Sequence, residues 1–170
     1  MIGDTLALFL ALVLGSAAVH KLVARERLVL ATERLLRIAP PVARVAMFGA
    51  AAVEAAATIA LLLAPVRIPG AAIAALLWSG YAVTLAAARL RGESGIDCGC
   101  SFAVHRKGID GFAIARNVVL LGLALFVGLI PASNTLPGAE AVFAALALFS
   151  LLLAAGELAA LPSLRRSIAR

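Results

Sequence analysis

Five long apolar runs, at residues 5–22, 42–64, 70–88, 112–130 and 141–161, account for most of this 170-residue chain. A helix needs about 20 mainly apolar residues to cross a bilayer. Hydrocarbon offers backbone amides no water, so a spanning segment must be a helix or part of a closed barrel. The runs carry no strand-like alternation and are apolar on every side, as lipid-solvated helices are. All seven prolines fall outside them or at their edges. Pro40 and Pro41 precede the second run, Pro65 closes it, and Pro69 precedes the third. Pro131 follows the fourth, Pro137 precedes the fifth, and Pro162 follows it. Proline interrupts helices, so this placement supports the same segmentation. The predicted fold is all-α: one transmembrane domain over residues 1–170, four helices forming a bundle and a fifth packed against it.

Composition agrees. The chain is 64% hydrophobic and 14% charged, against about 45–50% and 25% for soluble domains. That excludes a water-soluble enzyme and a disordered tail. The net charge is +6, but no helix-turn-helix or basic-aromatic surface accompanies it, and nucleic acid is not an expected partner. The expected neighbour is anionic lipid. Lys21, Arg25, Arg27, Arg34, Arg37 and Arg44 lie between the first two runs, and Arg67 alone in the next loop. Arg89, Arg91, Arg106, Lys107 and Arg116 follow the third run, and Arg165, Arg166 and Arg170 the fifth. Alternate sides thus hold fourteen and one. The positive-inside rule then predicts an outside N-terminus and a cytoplasmic C-terminus. Residues 1–5 carry Asp4 and no basic residue, so the first run is expected to be retained rather than cleaved as a signal. Between Ala24 and Pro41, Leu28, Val29, Leu35 and Leu36 alternate with Arg and Glu. This reads as a short amphipathic helix, either along the interface or as a connector packed on the bundle.

Ionisable residues inside a span are costly and usually face the bundle or a cavity. Glu54 stands mid-run on one face with Met47, Ala51 and Thr58. It reads either as a proton-relay or quinone-headgroup contact, or as a buried carboxyl bonded to a neighbouring helix. Glu157, about one turn from the cytoplasmic end of its run, is expected to pair with Lys21 or Arg116. His20 is a candidate for proton transfer or an interfacial residue. Trp78 and Tyr81, three apart, either flank a ring-shaped ligand or serve as packing and belt aromatics. Asn117 is expected to bond across to another helix.

The only two cysteines stand two apart in Asp97-Cys98-Gly99-Cys100, within the polar loop 89–111. With a turn between them, such a pair can reach the roughly 4.4–6.8 Å Cα separation of a disulfide, and Gly99 frees that turn. So small a ring is strained and easily reduced, which suits a redox pair better than a structural staple. Basic neighbours favour a thiolate and Asp97 opposes it. Two other readings stand beside this one. In the first, Cys98 and Cys100, with His105 and Asp97, bind a soft metal ion such as Cu(I) or Zn; the ligand set is sparse and no metal is assigned. In the second, the cysteines are structural.

The segments GSAAVHKL, EAAATIALLL, WSGYAVTLAAARLRG and, above all, DCGCSF resemble the methylamine-utilisation MauE family, within the wider group of small DoxX-like membrane proteins. The resemblance implies a bacterial inner-membrane accessory protein working with a thioredoxin-like partner (MauD). It further implies support for disulfide formation and maturation of an exported, disulfide-rich client, the methylamine dehydrogenase small subunit. Cys98 and Cys100 are the positions onto which a thiol-exchange role carries over. The charge count puts that loop on the cytoplasmic side, while the implied client is exported. Three routes are open: the loop folds back into the bundle, a quinone completes the path, or exchange involves cytosolic proteins alone. The expected function is thiol–disulfide redox support; the alternative is a transporter or binding protein for a soft metal ion or small thiol ligand.

Overall fold

The computed structural model describes residues 2–92, 111–132 and 137–168, with side chains as far as residue 159. Six helices follow in order: α1 (Ile2–Val23), α2 (Arg25–Leu36), α3 (Pro40–Leu62), α4 (Arg67–Leu90), α5 (Gly111–Leu129) and α6 (Ala139–Ile168). A short 3-10 turn, Ala64–Val66, joins α3 to α4. Among the described residues there is no strand. Five helices are long and apolar enough to span a bilayer, and the five expected runs fall on them. The expected polytopic helical bundle is therefore the fold.

The ends show why the sequence breaks where it does. Pro40 and Pro41 open α3, where amides have no intrahelical acceptor to lose. Pro69 falls in the first turn of α4 for the same reason, so α4 begins before the expected run rather than after its proline. Pro162 departs from expectation: α6 continues through it to Ile168. A proline lacks one N–H, so the helix forgoes one hydrogen bond there without having to end.

α4 packs most extensively on α5, α1 on α3, and α3 on α4, while α6 lies along α1. Leu10, Leu14, Leu61, Trp78, Leu120 and Val127 are buried between them, with alanines such as Ala57, Ala71, Ala74 and Ala124 at the closest approaches. Lipid tails are as apolar as leucine, so membrane helices associate through close packing and polar contacts, and small residues permit both. Gly70 marks the tightest crossing. A Cβ there would stand 2.8–2.9 Å from Ala60 Cβ, Ala60 C and Leu61 N, two of which are backbone atoms.

The amphipathic segment forms α2, packed against the start of α3. Leu28 is buried and Leu35 is half-buried against Leu85 and Ala88, while Arg25, Glu26, Arg27 and Arg34 face outward. Arg91 donates from Nη2 to the Leu35 carbonyl at 2.9 Å. This supplies a cation and a donor where the last carbonyls of a helix need them.

Candidate functional site

Three helices bring one polar cluster into the apolar bundle. Lys21, near the end of α1, places Nζ 2.7 Å from Glu54 Oε1 and 2.8 Å from Oε2. Tyr81 of α4 donates its hydroxyl to the same Oε1 at 2.7 Å. The Lys21 ammonium also lies 5.3 Å from the centre of the Tyr81 ring, within cation–π range. Glu54 is completely buried. A buried charge is tolerable only when paired and hydrogen-bonded, and here one carboxylate accepts from an ammonium and a phenol together.

The cluster borders a cavity of about 50 Å³, which His20, Trp78, Arg116 and Asn117 also line. A water needs roughly 10–15 Å³ of such space and two to four polar partners, so this cavity has room for a few. Arg116 Nε is buried in this region without a hydrogen-bond partner among the described residues. Asn117 is buried but donates to the Ala113 carbonyl of its own helix at 2.7 Å, not across to another helix as expected. Its acceptor lies one turn back on α5, which satisfies the amide locally. His20, half-buried, lies 3.3 Å from Arg27 Nη2 through its Nε2.

Glu54, His20, Lys21, Trp78 and Tyr81, singled out from the sequence, therefore meet at one place. Glu157 does not join them. It is exposed on α6, and the Lys21 ammonium is bonded to Glu54 instead. The reason lies in how α6 packs: Ala141 and Ala145 are buried, Phe149 and Leu152 only partly, and by Glu157 the helix presents its surface. Counting from the ends of the runs hides the true partner of Lys21. Thr58 Cγ2 lies 3.3 Å from where a Gly15 Cβ would stand. That register sets Glu54, one turn along α3, within reach of the long lysine side chain.

A second buried pair was missed from sequence. Arg67 Nη1 donates to Asp4 Oδ1 at 2.8 Å, with both residues buried. The apolar runs leave Asp4 outside the first span and put Arg67 in a loop. The available signal was two lone, opposite charges at the same end of the bundle. α1 begins at Ile2, which sets the Asp4 carboxylate in its first turn, where the helix dipole favours an anion.

Cys98, Cys100, Asp97, Gly99 and His105 lie outside the described residues, as does most of the loop that carries them. Its two feet are described. Leu90 ends α4 and Gly111 opens α5, where an added Cβ would come within 2.8 Å of Arg89 Nη1. Arg116 and Asn117 follow within two turns of that foot, about 8–9 Å along the helix. The small polar cavity thus reaches from the middle of α3 and α4, at Glu54 and Tyr81, toward the ends of α1 and α5, at Lys21 and Arg116. Among the described residues no group of three or more His, Cys, Asp or Glu is placed to hold a metal ion.

These features define a multi-pass helical membrane protein with a polar cluster buried inside its bundle. Residues 1–130 match the family described as methylamine utilisation protein MauE, and the chain belongs to that family. The match covers α1 to α5 and leaves α6 beyond it. The chain is 38% identical over 136 residues to the methylamine utilization protein MauE of Paracoccus denitrificans, covering 76% of this chain and 73% of that one. It is 32% identical over 148 residues to MauE of Methylophilus methylotrophus, covering 83% and 75%. No solved structure matches it.

Proposed function

We propose that this protein is a bacterial inner-membrane thiol–disulfide redox accessory for methylamine utilisation, with Cys98 and Cys100 as the exchanging pair. The observation that carries the reading is positional. The chain's only two cysteines stand two apart in the loop whose feet, α4 and α5, are closely packed and flank the buried polar cluster. Membership in the MauE family supports it, because the relatives are named for methylamine utilisation.

The exchange is balanced in thiols and disulfides. A thiolate of the client attacks the Cys98–Cys100 disulfide, forming a mixed disulfide and releasing one cysteine as thiolate. The client's second thiolate resolves the mixed disulfide, so the client leaves oxidised and both cysteines are reduced. A thioredoxin-like membrane partner, itself in the disulfide form, then takes the two electrons and restores the pair. The client proposed is an exported, disulfide-rich protein such as the methylamine dehydrogenase small subunit. On the orientation favoured by the basic loops, the pair faces the cytoplasm and meets the client's thiols there, before the client is exported.

The test is trapping. Replacing Cys98 or Cys100 singly with Ser should leave one thiol unable to be resolved by its neighbour. Non-reducing electrophoresis of membranes should then show a reductant-sensitive adduct containing a thioredoxin-like protein. A double Ser variant that inserts normally yet supports full client maturation would overturn the proposal.

A further inference from the structure

A larger cavity, of about 580 Å³, lies between α2, α3 and α4. Ligand pockets commonly occupy about 300–1,000 Å³. Its walls are aliphatic, including Leu35, Met47, Ile73 and Leu77, and the exposed Val53 and Leu76 open it toward the hydrocarbon. Polar side chains enter at four places: Lys21, Tyr81, Thr32 and Thr84. The two threonine hydroxyls donate to carbonyls of their own helices, Thr32 to Leu28 at 2.8 Å and Thr84 to Gly80 at 2.9 Å. Lys21 is different. An ammonium has three N–H donors, and Glu54 accepts two of them.

The wall shared with the small polar cavity therefore offers a hydrogen-bond donor without net charge, because Glu54 already neutralises Lys21. An anionic headgroup gains nothing from such a wall and would be carried into an apolar slot. An uncharged ring bearing a carbonyl oxygen fits: the carbonyl accepts from Lys21, the ring lies among aliphatic side chains, and an apolar tail leaves between Val53 and Leu76. We propose that this cavity is a binding site for a lipid-soluble quinone. The binding claim stands whether or not the cysteines exchange thiols.

Trp78, the chain's only tryptophan, lines the small cavity on the other side of the shared Lys21 and Tyr81 and serves as a reporter, since quinones quench indole fluorescence. In phosphatidylcholine nanodiscs, decylubiquinone should quench Trp78 saturably. A Cβ at Gly80 meets nothing within 4 Å, and Gly80 lines the large cavity, so Gly80→Phe should fill the space without moving backbone. That variant should bind at least tenfold more weakly with an unchanged melting temperature; Ala50→Phe, on the α3 wall, replaces it if Gly80→Phe does not fold. The double Cys98→Ser, Cys100→Ser variant should bind as the unaltered protein does. Quenching that never saturates, equal affinity in a folded cavity-filling variant, or equal competition by decanol, which has the tail but no ring, would each overturn the site.

Discussion

Lys21 and Glu54 hold each other in a place where neither would be tolerated alone. Removing one partner of a buried pair leaves an uncompensated charge and typically costs about 3–5 kcal/mol, whereas replacing both by apolar groups is often far milder. Lys21→Met and Glu54→Gln should therefore each lower the melting temperature in detergent sharply. The double Lys21→Met, Glu54→Met variant should recover much of the loss, which a double-mutant cycle would read directly. Tyr81→Phe should cost less, about 1.5–3 kcal/mol, the usual worth of a hydrogen bond to a charged group. Glu157→Gln, at an exposed position, should stay within about 0.5 kcal/mol. The sequence shows which residues are too polar for their surroundings, because composition along a helix is one-dimensional. It does not show which of them meet. Lys21 passes over the nominal candidate on α6 because Gly15 and Thr58 set the α1–α3 register, and that register is a property of packing.

Among the elements, the short link from α3 to α4 bears the tightest constraint. Gly70→Ala places a methyl group against the backbone of Ala60 and Leu61, which cannot yield as a flexible side chain can. Overpacking of this kind costs about 1–3 kcal/mol. Thermal unfolding should show that loss for Gly70→Ala and none for Gly49→Ala, where an added Cβ meets nothing within 4 Å. At the same end of the bundle the Asp4–Arg67 pair ties α1 to the start of α4. Helix existence was legible here from apolar runs and prolines, since both act locally. The start of α1 at Ile2 and the passage of α6 through Pro162 were not, because a helix end depends on which charges find partners and which single hydrogen bonds can be forgone.

For the whole molecule, fourteen of fifteen basic residues fall on one side of the bilayer if the five helices alternate direction. The orientation proposed from that asymmetry has a direct check. A membrane-impermeant maleimide should label reduced Cys98 and Cys100 in inverted vesicles and leave them unlabelled in intact spheroplasts; the reverse pattern would turn the molecule over. The central claim is that these two thiols form a reversible disulfide on which client maturation depends. Its most direct measurement is maleimide labelling of Cys98 and Cys100 in membranes, before and after reductant. The account predicts that a fraction of the protein labels at neither cysteine until reductant is added, and then at both. Full labelling of both cysteines under every condition, together with complementation by the double Ser variant, would contradict it.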